Sequence, residues 1–336
     1  MPNREYQVQI APHARTVIAS EGRSVLDAAL AAGLNLPHSC KSGHCASCRA
    51  RLLGGEVRYP NGRPLGITEQ EERQGYVLLC QARPLSDLRV EARLIANVED
   101  VEIKTLPCRI AKMTRLAPDV MQVFLRLPAV EPLRFKAGQY LDVLLDGGRR
   151  RSFSIASPPH DSDLLELHVR RVPGGGFTEA LFETLHDGSL LRIEGPIGQF
   201  VYREQSAPAL MIAGGTGFAP LKSMLRHALE NGSSRAVWFY WGARQSIDVY
   251  EEALMQEWGR KYPNLHFTAV LSEGGAAHHR LGWVHEAVLA DHPSLAAFDV
   301  YAAGPPAMVE AIRATFPARG VSEDRLHFDS FDYAPR

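Results

Sequence analysis

Four cysteines constrain this 336-residue chain more than any other feature: Cys40, Cys45, Cys48 and Cys80, spaced C-x4-C-x2-C-x31-C. Structural zinc sites usually pair two short Cys or His arms. Here three candidate ligands share one short loop and the fourth stands far downstream. Two disulfides would suit a small secreted domain, which a chain of this size is not. The spacing is that of a plant-type [2Fe–2S] ligand set. The residues between the cysteines, Lys41-Ser42-Gly43-His44 and Ala46-Ser47, are mostly small. Backbone N–H groups can therefore turn toward the sulfurs and stabilise the extra charge of a reduced cluster. A chain holding such a cluster moves electrons one at a time. The fifth cysteine, Cys108, sits apart in Leu106-Pro107-Cys108-Arg109-Ile110 and reads as a small buried hydrophobe.

The length exceeds one core and fits two or three domains. With 22% charged residues and a formal net charge of −1 there is no basic field for nucleic acid. No apolar run reaches the length of a membrane span. The polar start Met1-Pro2-Asn3-Arg4-Glu5-Tyr6 is not a signal peptide. Reduced cysteines without an export signal imply a cytoplasmic protein. Residues 1–95 carry 12 Lys and Arg against 9 Asp and Glu, a formal +3 that weakly favours an acidic acceptor surface.

Three segments differ in pattern. Residues 1–97 begin with two alternating runs, Tyr6–Ile10 and Thr16–Ala19, that read as strands. Ser24 caps an amphipathic helix over Val25–Ala32 that Gly33 ends. The cysteine loop follows, then a strand at Ala50–Leu53 and a turn at Gly54–Val57. An acidic first turn opens a short helix at Thr68–Glu72, and the buried strand Tyr76–Cys80 delivers the last ligand. This is a β-grasp order. Val98–Pro107 reads as a linker, with the second domain placed at 103–204. There Gln122–Leu127, Tyr140–Leu145 and Leu165–Arg170 are short strands between turn signals, the mark of an antiparallel barrel. In the third domain, 205–336, Ala209–Ala213, Val237–Trp241, Phe267–Leu271 and Asp299–Ala303 are continuous apolar runs separated by helical stretches. That pattern predicts a doubly wound parallel sheet.

Two constellations carry chemistry in these later domains. Arg151-Ser152-Phe153-Ser154 ends a barrel strand, and Arg171-Val172-Pro173-Gly174-Gly175-Gly176-Phe177-Thr178 follows about twenty residues on. A triple glycine entering a helix lets backbone approach a pyrophosphate; a flexible hairpin turn is the bland alternative. Gly214-Gly215-Thr216-Gly217-Phe218-Ala219-Pro220 lacks the G-x-G-x-x-G spacing but stands in the same strand–turn–helix context. Gly304-Pro305-Pro306-Ala307-Met308 follows the last apolar strand.

Residues 1–97 resemble a plant-type ferredoxin, and the two constellations together resemble the flavin and nicotinamide sites of the ferredoxin–NADP⁺ reductase superfamily. The resemblance spans essentially the whole chain. It implies that Arg151 pairs with a flavin phosphate, that Phe153 packs on the isoalloxazine where tyrosine is commoner, and that Ser154 lies near flavin N5. It assigns Gly174, Gly175, Gly176 and Thr178 to the pyrophosphate. It places Gly214, Gly215, Thr216 and Gly217, with Gly304, Pro305 and Met308, around the nicotinamide nucleotide. The residue before Gly304 is commonly cysteine; here it is Ala303, expected to tune hydride transfer rather than abolish it. The ending Phe328-Asp329-Ser330-Phe331 resembles the acidic-x-Phe terminus beside the flavin, which implies roles for Asp329 and Phe331; an amphipathic tail on the sheet edge is the alternative. Domain order implies FAD. Arg244 could face a 2′-phosphate and Asp248 would repel one, which favours NADH over NADPH.

The implied function is an electron-splitting oxidoreductase in which NADH delivers two electrons to FAD and a [2Fe–2S] cluster near −400 mV passes them on singly. Two subfamilies share the domain order. One comprises reductases of ring-hydroxylating dioxygenases and multicomponent monooxygenases. The other, of the CDP-6-deoxy-Δ³,⁴-glucoseen reductase type, feeds a pyridoxamine-phosphate dehydrase in dideoxysugar synthesis. Leu191–Pro196, Gly214–Met224 and Phe239–Gly242 resemble the second type slightly more. The expected partner is therefore an electron-accepting protein, an oxygenase component or a sugar dehydrase, met by a monomer through the loop from Lys41 to Ser47. A redox-sensing binding module with a degenerate flavin site is the reading from another class, fed by Ala303 and Phe153.

Overall fold

The computed structural model describes residues 4–38, 41, 43, 46–92, 94 and 102–331. Its contacts divide the chain into two compact units, residues 1–100 and 101–336.

In the first unit, β1 (Glu5–Ala11), β2 (Arg15–Ser20), β3 (Arg49–Gly54), β5 (Tyr76–Leu78) and β7 (Leu88–Glu91) form one sheet in the order β2-β1-β7-β3-β5. The β1–β7 pair is parallel and its neighbours are antiparallel. Short β4 (Val57–Arg58) and β6 (Arg83–Pro84) pair beside it. Helix α1 (Val25–Ala31) starts where Ser24 Oγ accepts the Asp27 amide, and left-handed Gly33 follows its end. It buries Val25, Leu26, Ala28 and Ala29 in one core with Val8, Ile10, Val17 and Val90. Thr68 and Glu71 form a capping box on α2 (Glu69–Arg73). This is the β-grasp arrangement the sequence predicts.

The second unit opens with an antiparallel sheet of β8 (Lys104–Ala117), β9 (Val120–Arg126), β10 (Tyr140–Leu144), β11 (Arg150–Ser154), β12 (Leu165–Arg170) and β13 (Leu190–Ile197), in the order β11-β10-β13-β8-β9-β12. A bridge between Ile155 and Leu167 joins its two ends and closes a barrel. Helix α3 (Phe177–Glu183) follows β12. The expected linker is shorter than read, because β8 already begins at Lys104. Pro107 lies inside it, opposite Arg192 of β13, while pairing with β9 starts only at Arg109. A strand accepts proline where its missing donor faces no neighbour.

The remainder is a parallel sheet of β14 (Ala209–Gly214), β15 (Val237–Ala243), β16 (Leu265–Leu271), β17 (Arg280–Leu281), β18 (Asp299–Gly304) and β19 (Leu326–Ser330), ordered β17-β16-β15-β14-β18-β19. Both β14 and β18 are buried throughout. Helices α4 (Phe218–Glu230) and α5 (Glu252–Lys261) contribute Leu221, Met224 and Met255 to one core; α6 (Val284–Asp291) and α7 (Pro306–Thr315) contribute Val288 and Ile312 to another. The strand order reverses between β14 and β18, and ligands of open α/β sheets bind outside the carboxyl ends at such a point. Among the described residues no helix is long and apolar enough to cross a membrane.

Candidate functional sites: the cysteine loop and the carboxyl-end crevice

Of the four cysteines, Cys48 and Cys80 are described, and both are 4% exposed; Cys40 and Cys45 lie outside the described residues. The Leu79 amide donates to the Cys48 carbonyl across 3.1 Å, which ties the third ligand position to the segment carrying the fourth. Gln81 Nε2 donates to the Lys41 carbonyl at 2.8 Å, and the Gly66 amide to the Gly43 carbonyl at 2.8 Å. Lys41 and Ala46 both adopt positive φ, 52° and 56°. Each such conformation costs a non-glycine residue roughly 1–2 kcal/mol. Strain of this kind persists where the surroundings over-determine the backbone, commonly at functional sites. Two buried thiol positions framed by a strained loop suit a cluster's ligands. Cys108 lies in the barrel core, where burial pushes its thiol up to about 12 and leaves it inert.

On the barrel, β11 places Arg151 and Phe153 on one face and Ser152 and Ser154 on the other. Phe153 packs against Phe177, with ring centroids 5.6 Å apart, which joins β11 to the start of α3. Arg151 Nη1 donates to the Arg150 carbonyl at 2.8 Å. Ser154 Oγ is buried and has no hydrogen-bond partner among the described residues. In the glycine loop, Gly174 and Gly176 have φ of 72° and 53°. A Cβ on Gly175 would lie 2.5 Å from Thr178 Oγ1 and 2.7 Å from the Val172 carbonyl. Thr178 Oγ1 accepts the Val172 amide at 3.1 Å and so closes the loop on itself. The Gly174 amide donates to a carboxylate oxygen, Glu179 Oε1, at 2.8 Å.

At the switch point the second glycine turn packs against the end of β18. A Cβ on Gly217 would lie 1.9 Å from the Ala303 carbonyl oxygen, and one on Gly214 would lie 2.6 Å from Pro305 Cδ and 2.8 Å from Met308 Sδ. Gly304, φ 155°, approaches Gly214 in the same way. Trp241 Nε1 donates to the Gly215 carbonyl at 3.1 Å. Asp329 and Ser330 sit opposite Ala303 and Gly304 in the β18–β19 register, and both are buried. The Phe331 amide donates to the Gly304 carbonyl at 2.9 Å. The C-terminal segment is thus both an edge strand and part of the crevice. Ser330 Oγ is buried and has no hydrogen-bond partner among the described residues.

Family models match each part of the chain: a 2Fe-2S iron-sulfur cluster binding domain over residues 8–85, an oxidoreductase FAD-binding domain over 107–202 and an oxidoreductase NAD-binding domain over 211–314. The chain is 38% identical to the CDP-6-deoxy-L-threo-D-glycero-4-hexulose-3-dehydrase reductase of Yersinia pestis, over 94% of this chain and 95% of that protein. This chain belongs to the [2Fe–2S] ferredoxin reductase class. It is also 35% identical to reductase component 1 of terephthalate 1,2-dioxygenase from Comamonas sp., over 94% of each chain. The crystal structure of the Amycolatopsis cytochrome P450 reductase GcoB is 35% identical and superposes with a TM-score of 0.75 over 97% of this chain and 98% of that one. As a ferredoxin reductase it is an oxidoreductase that uses NADH, FAD and a [2Fe–2S] cluster and transfers electrons to a partner protein.

The reductase contains one group near the crevice that its sequence does not advertise. Arg170 ends β12, four residues before Gly174, and its Nη1 lies 3.4 Å from where a Cβ on Gly215 would stand. It forms ion pairs with Asp119 at 3.3 Å and Asp248 at 3.9 Å, yet its buried Nε and Nη2 make no hydrogen bond. The signal was present but ambiguous. Glu166, His168 and Arg170 alternate with Leu165, Leu167 and Val169, which reads as a barrel strand with a solvent face. In the fold β12 is covered on both sides, with only Arg170 partly exposed.

Proposed function

We propose that Arg151, Phe153, Ser154, Gly174, Gly175, Gly176 and Thr178 hold FAD, and that Gly214–Gly217, Gly304, Pro305 and Met308 hold NADH. One observation carries this reading. Ser154 and Ser330 end the strands β11 and β19, and each buries a hydroxyl that makes no hydrogen bond among the described residues; Arg170 ends β12 with two buried guanidinium nitrogens held only by ion pairs at 3.3 and 3.9 Å. Buried hydrogen-bonding groups are normally paired, so these are groups awaiting a ligand. The glycines agree, because they leave cradles that a Cβ would fill.

FAD held there would supply the conversion between the two-electron donor NADH and the one-electron [2Fe–2S] cluster. The residues of the chain bind and orient. Arg151 pairs with the flavin phosphate, Phe153 covers one ring face, and Ser154 Oγ hydrogen-bonds the ring edge. Arg170, held by Asp119 and Asp248, presents guanidinium N–H groups beside Gly215 that could donate to the nucleotide. Phe331, anchored through its amide to Gly304, shields the nicotinamide subsite, and Asp329 fixes that strand end. No side chain need act as general acid or base on an organic substrate. Ala303 removes the usual cysteine and leaves positioning to the turn.

Four cysteine ligands, Cys40, Cys45, Cys48 and Cys80, hold the cluster, and the loop from Lys41 to Ser47 meets the acceptor. The acceptor is an oxygenase component or a pyridoxamine-phosphate-dependent sugar dehydrase, and the reductase acts as a cytoplasmic monomer. Domains at 1–97, 103–204 and 205–336 follow from the same reading. The test is anaerobic stopped-flow with NADH. Flavin bleaching should precede cluster bleaching. Cys48→Ser should leave ferricyanide reduction intact and remove cytochrome c reduction. Unchanged cytochrome c reduction in that variant would take the cluster out of the path, and a purified protein without flavin would favour the redox-sensing module. Coupled NADH consumption with each purified acceptor class then decides between them.

A further inference from the structure

The face of β12 turned away from the barrel core carries a buried ionic cluster that the proposed cofactor sites do not use. Lys222, on α4, is 5% exposed in its side chain and donates to Glu166 Oε1 at 2.8 Å and to both oxygens of Glu251, at 2.9 and 2.8 Å. Gln122 of β9 donates to the same Glu166 oxygen. His168 Nε2 donates to it at 2.9 Å, and the other ring nitrogen lies 3.0 Å from the Tyr250 hydroxyl. Burial alone would raise the Glu166 carboxyl, but the His168 hydrogen bond and the Lys222 charge overcome it and hold the group below the ordinary carboxylate range. Burial, with the Glu251 charge beside it, pushes the Tyr250 hydroxyl well up, so it remains protonated. Glu166, His168 and Glu251 lie close enough to hold a metal ion, but the Lys222 ammonium already occupies the cation position.

The cluster spans two lobes of one compact unit: Gln122, Glu166 and His168 belong to the barrel, and Lys222, Tyr250 and Glu251 to the nucleotide sheet's helical layer. It also reaches the second glycine turn. The His168 ring stacks near Phe218 at 6.0 Å, Phe218 lies flat on Trp241 at 3.9 Å, and Trp241 donates to the Gly215 carbonyl. Lys222 itself stands five residues after Gly217, on the helix that the turn begins. Ser223 Oγ adds a buried bond to the Ser157 carbonyl of the barrel, 2.7 Å long.

A buried ion cluster is a poor way to gain stability, since an apolar seam of the same volume does as well or better. What it supplies is geometry, because displaced charges in a dry interface are left unpaired. We propose that the Lys222-centred cluster is a positioning device that sets the nicotinamide turn against the flavin barrel and thereby the rate of hydride transfer. A misplacement of 1 Å between reacting groups can cost on the order of 10²-fold. The inference rests on the cofactor placement proposed above.

The experiment compares the FAD- and cluster-loaded wild-type protein with Lys222→Met and with the charge-free triple variant Lys222→Met/Glu166→Gln/Glu251→Gln. The single variant should melt lower, because it takes the ammonium from two buried carboxylates, Glu166 and Glu251. The triple variant should regain the wild-type Tm and keep its FAD and its affinity for ADP-ribose. Its long-wavelength absorbance on anaerobic NADH addition, the signature of nicotinamide stacked on flavin, should nonetheless be weak, and its flavin reduction should be about 10²-fold slower. A triple variant with the wild-type Tm, band and rate overturns the inference. If the triple variant does not fold, Tyr250→Phe decides: it removes one hydroxyl from His168, and a band and rate equal to wild type again overturn it. Wild-type protein whose flavin does not bleach with NADH would instead sink the cofactor placement itself.

Discussion

Gly176 in the barrel's glycine loop and Gly217 in the nucleotide turn are required for opposite reasons. At Gly176 a Cβ would meet nothing within 4 Å, but the backbone stands at φ 53° and ψ −83°. At Gly217 the backbone is an ordinary φ −58° and ψ −11°, but a Cβ would sit 1.9 Å from the Ala303 carbonyl oxygen. Gly176 is needed for conformation, whereas Gly175 beside it is packed against Thr178 and Val172. Gly217 is needed for contact with the neighbouring strand, whereas Gly215 in the same turn stands at φ 53°. A loop of the first kind stays open to a ligand's phosphates, whereas a turn of the second kind locks two strand ends, β14 and β18, into one wall of the crevice.

The largest effect that tests this contrast is Gly217→Ala. The clash is with backbone, so β18 or the turn must shift, and overpacking of this kind costs about 3 kcal/mol. Equilibrium urea denaturation should show that loss, and NADH affinity should collapse while FAD remains bound. A variant with wild-type stability would break the comparison, because it would mean the turn is not packed as described. Gly214→Ala comes next. Its Cβ meets Pro305 Cδ at 2.6 Å and Met308 Sδ at 2.8 Å. The methionine is flexible, so the cost should be about 1–2 kcal/mol. Met308→Ala in the same chain should return part of it, whereas no side-chain truncation can rescue Gly217→Ala. Equal rescue at both positions would erase the distinction between soft and backbone contacts.

How much of this was legible depends on the range of the interaction. Cysteine spacing is local, and so are Ser24 capping α1, Gly33 after it and the apolar runs of β14 and β18; each was readable from neighbouring residues. The division into three segments followed from such signals together, and FAD and NADH from the resemblance that the Arg151–Ser154, Gly174–Thr178 and Gly214–Gly217 motifs carry. Three things were not local. Pro107 looked like linker because proline is rare in strands, and only the pairing of β8 with β13 on one side shows why it is tolerated. The polar face of β12 is buried by a second lobe, and such burial leaves no periodic trace in the strand itself. For the same reason Arg170, Lys222 and Glu251, drawn from three separate elements, carried no motif. The alternation that betrays one buried face cannot say whether the other face meets water or protein.

Gly176 is the most discriminating position. Alanine there meets no atom, so the whole cost is conformational, of order 1–3 kcal/mol for a residue held at φ 53° and ψ −83°. It should appear as a modest drop in the urea midpoint and a weaker hold on FAD, with NADH affinity unchanged. Valine should cost more than alanine at Gly176, since a β-branched residue tolerates positive φ least, even though space is available. At Gly217, by contrast, alanine already carries most of the penalty, because the first carbon makes the clash. Measuring both pairs on the FAD-loaded protein gives two slopes, steep at Gly176 and flat at Gly217. Matching slopes would mean that one physical cause governs both loops, and the division between a conformational cradle and a steric wall would have to be given up.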